Sequence, residues 1–545
     1  MPESQNGFRS QRGTRDSLFV SRLISSLAKE KGIPCYKTFV DLTKAYDKVE
    51  RNVLWGVLSR RGVPTKLVNL VKAIHVGSSA RVRHEGVFSN SFELCRGLKQ
   101  GSVFAPILFN VFFGAIMEAV HARLESGHGI KLKYRLGSDI FSASSLRGKR
   151  LGSTKLSVLE LLFADDAAFL ADSGEEMQHI VNVVDEVVTA FGQEISKKKT
   201  EIMVVRPKGN NDADPVVKIG TYTQNVVKEF KYVGSVENDR ATMDAEIKTR
   251  SQKMQAAFWK LSVNVFDNKN LTLAVKLEAF ETFVMPCGSY GCETWNSLES
   301  NMRALEGVQF RLLRRIFGYR WQSFKSFSDL IEESRLVGVV VLPMEAYVRR
   351  ARLTYFGHIC RMNDARLPKM VMFSEMAHGQ RRVGGQQQTW KRCLKRDFQL
   401  FNIPREWQDL VLDRSKWRGL VKTFGVRFFM ENWERRRAEK GRGRDVARLV
   451  RPFVTARIRE PNVSVDASIL VERAIISGAV VTGRGSRERQ GGRRSVIREV
   501  FEPYAKRLLN ALPDVEAVDI SAPATWEGPR IAGVVTRSFA RRRLI

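Results

Sequence analysis

The most constraining feature of the sequence is a pair of adjacent aspartates between two apolar segments. Residues 156–172 read LSVLELLFADDAAFLAD, with Asp165 and Asp166 near the centre. Two short apolar segments joined by polar residues are typical of a β-hairpin, so the pattern predicts two strands with the aspartates at their tip. Aspartate is also common in tight turns for conformational reasons alone, and this segment by itself leaves both interpretations open.

A third aspartate follows another apolar segment, more than a hundred residues earlier. The residues CYKTFVDL, 35–42, predict a strand with Asp41 at its end. A carboxylate beside an apolar strand is unfavourable unless it is paired or bound to a cation. Three such carboxylates predict a divalent-metal site, because two Mg²⁺ ions held by carboxylates can support in-line phosphoryl transfer.

The charge of the chain indicates a polyanionic partner. Its 545 residues include 90 Lys and Arg against 58 Asp and Glu, a net charge of +32. Nucleic acid is the first expectation for such an excess, and an anionic membrane surface is the alternative. With 43% apolar and 27% charged residues, the composition is that of a globular protein and argues against a wholly disordered chain.

Several features predict an intracellular protein that acts in the nucleus and has no membrane partner. The six cysteines form no CxxC pair, which argues against a disulfide framework or a zinc ribbon. The first residues, MPESQNGFRSQRG, lack the apolar core of a signal peptide. The longest apolar segment, residues 105–120, is interrupted by polar residues and is expected to be too short to span a bilayer. Basic clusters at 435–437 and 541–543 are typical of nuclear-import or RNA-binding signals.

The order of the predicted elements divides the chain into four parts. Residues 1–240 alternate predicted helices and strands, with a Gly- and Ser-rich loop or ribbon at 127–155. Residues 241–335 and 336–433 are predicted to be mainly helical and are rich in arginine and aromatic residues. Residues 434–545 contain basic linkers, and their role is left open.

Six segments occur in an order that resembles the reverse transcriptases of non-LTR retrotransposons, the LINE-like elements whose full polyprotein also carries an endonuclease. In chain order they read QNGFRSQRGTRDSLF, FVDLTKAYDKV, GLKQGSVFAPILFN, LLFADDAAFLAD, FGQEISKKKTEIM and FKYVGS. YGCETW and the sequence from RLTYFGHICRM to QRRVGG resemble the thumb of this family and the region after it. The resemblance extends from Gln5 to about Asn402.

This resemblance implies a mixed α/β (α+β) fold, the right-hand polymerase with an antiparallel palm sheet. Partial fingers and the palm are expected at 1–240, a helical thumb at 241–335 and a basic helical extension at 336–433. The family carries more fingers sequence before its early fingers motif, so we expect a chain that is truncated at its N-terminus.

The resemblance assigns the chemistry to three carboxylates. Asp41, Asp165 and Asp166 match the catalytic residues and the ligands of two Mg²⁺ ions. The backbone carbonyl of Leu42 is expected to add a ligand in the nucleotide-binding part of the site.

Four further positions match nucleotide-binding residues of the family. Tyr46 matches the aromatic ring under the incoming sugar, which leaves no room for a 2′-hydroxyl; a core aromatic is the alternative. Gln100 and Gly101 match a loop that packs against the nucleotide and the template; a plain turn before a helix is the alternative. Lys199 matches the lysine proposed as general acid to the pyrophosphate, and a merely solvated lysine is equally open.

The implied function is RNA-directed DNA synthesis, in which deoxynucleoside triphosphates are joined to a primer 3′-hydroxyl. The partners are an RNA template, a DNA primer and dNTPs, and the endonuclease is expected from a missing domain or in trans. Residues 311–321 and 347–358 interleave arginines with aromatic residues, which is typical of nucleic-acid contact or of a solvated basic helix.

The alternative function is a catalytically inactive relic that binds nucleic acid. Two departures from the family pattern weaken the expectation of turnover. Phe104 replaces a usual Leu and is expected to overpack a turn. Gln193 replaces a usual Leu beside a palm strand.

Overall fold

A five-stranded sheet lies at the centre of the amino-terminal half of the protein. The structure is a computed structural model that describes residues 1–99, 101–124, 127–134, 154–207, 209, 212–380 and 388–439. The chain divides into two units, Met1–Arg435 and Arg436–Ile545, and all that follows concerns the first. Within it we call residues 1–238 the sheet region and residues 244–433 the helical region.

The strands are short, and most of them lie in the sheet region. They are β1 (Cys35–Val40), β2 (Ser79–Ala80), β3 (Arg83–His84), β4 (Val87–Phe88), β5 (Phe92–Glu93), β6 (Ile130–Tyr134), β7 (Thr154–Val158), β8 (Glu160–Phe163), β9 (Asp166–Ala171), β10 (Glu201–Val205), β11 (Lys218–Ile219), β12 (Tyr222–Thr223), β13 (Asn225–Val226), β14 (Glu229–Tyr232), β15 (Ser235–Asn238) and β16 (Ser374–Met376).

The helices are distributed over both regions and dominate the second. They are α1 (Thr14–Lys31), α2 (Arg51–Arg60), α3 (Thr65–His75), α4 (Ala105–Arg123), α5 (Gly174–Ala190), α6 (Asp244–Leu261), α7 (Leu273–Ala279), α8 (Met285–Ser289), α9 (Glu299–Ile316), α10 (Phe327–Leu336), α11 (Met344–Cys360), α12 (Leu367–Met372), α13 (Trp390–Leu400), α14 (Trp407–Leu412) and α15 (Arg414–Gly419).

The central sheet has the strand order β13-β10-β1-β9-β8, with β1 antiparallel to both of its neighbours. Successive side chains of a strand point to opposite faces. Phe39 and Ala168 accordingly enter one hydrophobic core, and Val40 and Ala167 enter a second. Because both faces are covered, β9 is apolar after Asp166, and β1 buries even its Lys37 and Thr38.

The predicted aspartate hairpin is present. Strands β8 and β9 pair antiparallel and are joined by a two-residue turn, since Phe163 faces Asp166. The predicted ribbon is present in part: β6 pairs with β7 and with β16, while residues 135–153 between them lie outside the described residues. The mixed fold with an antiparallel palm sheet is therefore confirmed.

Helix α4 corrects one sequence expectation. Among the described residues it is the one helix long and apolar enough, by length and composition, to cross a membrane, so the expectation that this segment is too short was wrong. Of its apolar window, 56% is buried, and the helix packs against α2 and α5. Phe109, Phe112 and Ile116 are fully buried in the second core. A core helix passes the same test, and the absence of a membrane partner remains a prediction.

Helix α1 joins the sheet region to the helical region. Its buried Asp16 accepts a 2.8 Å hydrogen bond from the Tyr355 hydroxyl on α11. Its Arg22 donates to Thr294 at 2.6 Å and to Ser235 at 2.7 Å. The sheet region and the helical region thus share one core. The predicted domain boundaries at 240, 335 and 433 remain predictions, and residues 440–545 lie outside the described residues.

Candidate active site

The three predicted carboxylates converge at one edge of the central sheet. Val40, the last residue of β1, faces Ala167 on β9. The residues that follow this pair on the two antiparallel strands are Asp41 and Asp166. Asp165 is the second residue of the hairpin turn, directly before β9. Two segments that are more than a hundred residues apart in sequence therefore place their carboxylates side by side.

The electrostatics show that these carboxylates interact. Burial and the like charges of Asp165 and Asp41 together raise the pKa of Asp166 to about 6. The pKa of Asp165 is raised by burial and by the charge of Asp41. Neighbouring negative charges disfavour ionisation of each group, so the cluster favours a cation.

The carboxylate cluster does not form a complete metal site by itself. In the described part of the chain, no three His, Cys, Asp or Glu side chains are grouped closely enough to hold a metal ion by themselves. However, Oδ2 of Asp41 is buried and accepts no hydrogen bond. The Lys199 ammonium lies 3.4 Å from this oxygen. Mg²⁺ is commonly held by one or two carboxylates together with substrate phosphates, and the residues fit that arrangement. Their role as ligands remains a prediction.

Leu42 is placed by backbone pairing beyond the end of β1. The Ser196 N–H donates to the Asp41 carbonyl at 2.8 Å, and the Thr43 N–H donates to the Glu194 carbonyl at 2.8 Å. In antiparallel pairing, the residue between these two bonds directs its own carbonyl away from that partner. The Leu42 carbonyl therefore points away from residues 194–196, and its role as a ligand remains a prediction.

Tyr46 lies beside the carboxylate cluster and is only partly buried. Its ring stacks on Phe109 of α4, with 4.5 Å between ring centroids and 20° between planes. Burial and then the charge of Asp165 raise the pKa of Tyr46 to about 12. The ring thus combines the packing of a core aromatic with proximity to Asp165, and the sugar-gate role stays a prediction.

Three further residues were predicted to bind the nucleotide, and the structure describes two of them. Lys199 lies near the cluster and its side chain is 73% exposed, which agrees with either interpretation of this residue. Gly101 has φ of 81° and is exposed in the turn before α4. Gln100 lies outside the described residues.

The two departures from the family pattern lie in different surroundings. Phe104 is 58% exposed, so the expected overpacking of a turn was wrong. Gln193 is buried, and neither atom of its carboxamide has a hydrogen-bond partner. A buried amide without a partner costs free energy, so this departure is a real local conflict.

The two arginine- and aromatic-rich segments also differ. On α11, Arg349 and Arg352 are buried and both bind Asp397, at 2.5 and 2.6 Å. These arginines belong to the core and are not free for a phosphate, which neither sequence interpretation anticipated. The first segment instead carries the exposed side chain of Arg311 on α9 and that of Arg315, which is exposed but pairs with Asp267 at 2.9 Å.

Phe109 was not singled out from the sequence, although it forms the support under Tyr46. It lies in the first turns of α4, after the Ala105-Pro106 start of the helix. The available signal was the helical spacing that puts Ala105 and Phe109 on the same face. A sequence cannot show which ring stacks on which, because that depends on how α4 docks on the sheet.

The amino-terminal part of the chain matches a known family. Residues 1–236 match the family described as reverse transcriptase (RNA-dependent DNA polymerase). Together with the sheet and its aspartate hairpin, this match defines an RNA-dependent DNA polymerase domain. The family assignment covers residues 1–236, and the relatives of the chain include proteins of non-LTR retrotransposons.

Three relatives illustrate the range of the similarity. A putative uncharacterized transposon-derived protein of Caenorhabditis elegans is 23% identical over 271 residues, which cover 48% of this chain and 94% of that protein. A Pol polyprotein from the type-1 retrotransposable element R2 of Nasonia vitripennis is 24% identical over 241 residues, 41% of this chain and 21% of that protein. A probable RNA-directed DNA polymerase from transposon X-element of Drosophila melanogaster is 24% identical over 336 residues, 59% of this chain and 32% of that protein. The chain thus spans about a fifth to a third of the two polymerase polyproteins.

Proposed function

We propose that this chain catalyses RNA-directed DNA synthesis, the extension of a DNA primer on an RNA template with dNTPs. The observation that carries the proposal is the convergence of Asp41, Asp165 and Asp166 at one edge of the sheet of a reverse transcriptase domain. In the reaction, the primer 3′-oxygen bonds to the α-phosphorus of the dNTP, and the bond from that phosphorus to pyrophosphate breaks.

Asp41 and Asp165 would hold Mg²⁺ in this site. Bound there, Mg²⁺ would lower the pKa of the primer 3′-hydroxyl and stabilise charge on the leaving pyrophosphate. Oδ2 of Asp41 supports this assignment, because it is buried, accepts no hydrogen bond and has only the largely exposed Lys199 ammonium nearby. Lys199, 3.4 Å from the same oxygen, would keep its exposed ammonium near the leaving group and deliver a proton there.

Tyr46 would select the sugar of the incoming nucleotide. Its ring is held by the stack on Phe109 and lies close enough to Asp165 for that charge to raise its pKa. A ring fixed in this way leaves no space for a 2′-hydroxyl, so dNTPs would be preferred over ribonucleotides.

The nucleic acid would be held by the basic face of α9. A cavity of about 380 Å³ there is lined by Arg311, Arg314, Arg315, Gly318 and Tyr319. Arginines beside an aromatic ring suit contact with backbone phosphates and stacking on bases. Nicked chromosomal DNA would supply the primer, with the endonuclease from another domain or protein, and the nucleus would be the site of action.

The test is primer extension on an RNA template with Mg²⁺ and labelled dNTPs, beside an Asp165→Ala/Asp166→Ala double variant. We expect extension by the unaltered chain and a loss of at least about 10³-fold in the variant, because the transition state loses its charge stabilisation. RNA binding, measured by fluorescence anisotropy at several salt concentrations, should be equal in both proteins. Equal extension by both proteins would point to a contaminating polymerase and refute the site.

Binding without catalysis is the second candidate, and the unpaired buried carboxamide of Gln193 favours it. Such a conflict beside the palm is expected where selection for an efficient fold is relaxed. No extension, with salt-sensitive RNA binding intact in both proteins, would establish this function.

A further inference from the structure

The tip of the aspartate hairpin has an unusual backbone conformation. The turn between β8 and β9 consists of Ala164 and Asp165, and Ala164 has φ of 57°. This left-handed conformation is unfavourable for a residue with a Cβ, so neighbouring contacts must hold it in place. Asp165 is the next residue, and its direction therefore depends on this turn.

The carboxamide of Gln5 makes those contacts. Its Nε2 donates to the Ala164 carbonyl at 3.1 Å, and its Oε1 accepts from the Ala164 N–H at 2.8 Å. The same Oε1 accepts from the Gly7 N–H at 2.9 Å. Gln5 is 1% exposed, so water does not compete for these bonds. Both polar groups of Ala164 are thus satisfied by one side chain.

The segment around Gln5 is itself fixed against the hairpin. The Asn6 N–H donates to the Leu162 carbonyl at 2.9 Å, and the Leu162 N–H donates to the Ser4 carbonyl at 3.0 Å, which adds the segment alongside β8. A Cβ on Gly7 would lie 2.4 Å from the Ala164 nitrogen, so only glycine permits this approach. Asn110 of α4 donates to the Gly7 carbonyl at 2.8 Å.

We infer that Gln5 is a positioning residue for the carboxylate hairpin: its carboxamide holds Ala164 in the left-handed conformation that directs Asp165 toward Asp41. The catalytic consequence rests on the proposed function of Asp165, whereas the effect on the hairpin does not. Loss of the carboxamide leaves the N–H and the carbonyl of Ala164 buried without these partners, and the turn then relaxes.

The test compares Gln5→Met with a matched control, Gln309→Met. Methionine is close to glutamine in volume and lacks both strong hydrogen-bonding groups, so packing is largely kept. Gln309 is a fully buried carboxamide on α9 that also bonds two backbone groups. It donates to the Leu342 carbonyl at 2.8 Å and accepts from the Met344 N–H at 2.9 Å. Both substitutions remove the same kind of clamp, and only one of them touches the hairpin.

The first measurement is hydrogen exchange of peptides that cover residues 159–171. In Gln5→Met the Ala164 amide should exchange about tenfold faster or more, because its acceptor is gone, whereas Gln309→Met should leave this peptide unchanged. Gln5→Glu keeps an acceptor for the Ala164 N–H but sets a carboxyl oxygen against the Ala164 carbonyl, so its exchange should lie in between. If Gln5→Met does not fold, Gln5→Glu is compared with the unaltered chain. Faster exchange of the Ala164 amide in Gln5→Glu supports the inference, and equal exchange overturns it.

The second measurement is primer extension per folded molecule. Gln5→Met should lower kcat by about 10- to 100-fold while the Kd for primer–template stays within about twofold, because a small misplacement of a reacting group is costly. Gln309→Met should leave kcat unchanged. Unchanged exchange at Ala164, or an equal increase in Gln309→Met, would overturn the inference. An unaltered chain that fails to extend primers, with Ala164 released only in the Gln5 variants, would refute the proposed function and support the positioning role.

Discussion

The edge of the central sheet and the centre of the helical region differ in how far their carboxylates are paired with cationic side chains. At the sheet edge, burial and neighbouring carboxylates raise the pKa of Asp165 and of Asp166. The one nearby cation, among the contacts described above, is the largely exposed Lys199. Between α11 and α13, Asp397 is fully buried and binds two arginines, Arg349 and Arg352, at 2.5–2.6 Å. In the second arrangement both carboxylate oxygens are paired with arginines, whereas the first has charge to offer a ligand.

Buried carboxamides also differ in whether they are paired, although this difference does not follow the division between the two regions. Gln309 in the helical region bonds two backbone groups, and Gln5 in the sheet region bonds three. Gln193 in the sheet region bonds none with its side chain. Most polar groups inside a protein are paired, so each exception calls for a functional or a historical reason. For Asp41 we propose the reaction; for Gln193 the structure shows no such reason.

The largest expected effect comes from removing the charge of Asp397, which pairs with two arginines. Asp397→Asn should lower the free energy of unfolding by about 3–5 kcal/mol, because the buried Arg352 loses its counter-charge and Arg349 keeps only Glu345. Urea denaturation followed by circular dichroism measures it. As a control, Glu299→Gln removes an exposed partner of Arg303 and should cost less than about 1 kcal/mol. Similar losses in both variants would show that Asp397 is not specially buried.

Glu281 tests whether the difference between the two regions is general, because it is a poorly paired carboxylate in the helical region. Its Oε1 is buried without a hydrogen-bond partner, and burial raises its pKa to about 7, against the opposing charge of Arg350. A raised carboxyl pKa contributes stability that is present below the unfolded value, near 4.5, and is lost as the pH rises through about 7.

Glu281→Gln should therefore be the more stable protein at pH 8, by at most about 3 kcal/mol, and should gain nothing at pH 4. Urea midpoints of both proteins across this pH range test the expectation. A difference that does not change with pH would mean that Glu281 stays ionised in the fold, and the contrast between the two regions would then fail.

Gln193→Leu tests the unpaired buried carboxamide of the sheet region. Replacing an unpaired buried amide by an apolar side chain of similar size should raise the free energy of unfolding by about 1–3 kcal/mol. Gln309→Leu is the matched control and should be destabilising, since it leaves the Met344 N–H and the Leu342 carbonyl without their partner. A loss of stability in Gln193→Leu would show that the carboxamide is satisfied in solution.

Much of the sheet region was predictable from local pattern. The apolar segments before Asp41 and around Asp165 and Asp166 indicated two strand ends, and both are present. The predicted alternation of helices and strands in this part of the chain is present as well. These features depend on side-chain periodicity and capping within about twenty residues, which a single sequence displays directly.

The placement of partners was not predictable. Arg349 and Arg352 read as a basic, nucleic-acid-binding face, yet Asp397 neutralises both from another helix. The clamp of Gln5 on Ala164 joins residues 159 positions apart. Neither a helical period nor a turn preference contains such information, because it arises only when separate elements dock.

The sequence by itself determined the class of the protein, since the order of its motifs and the spacing of its aspartates indicated a reverse transcriptase. It also determined the excess of positive charge that suits a nucleic-acid partner. Only the tertiary structure decided which charged side chains remain available to a ligand and which are paired with one another. The physical reason is that pairing and burial depend on distances between distant segments, and those distances exist only in the folded chain.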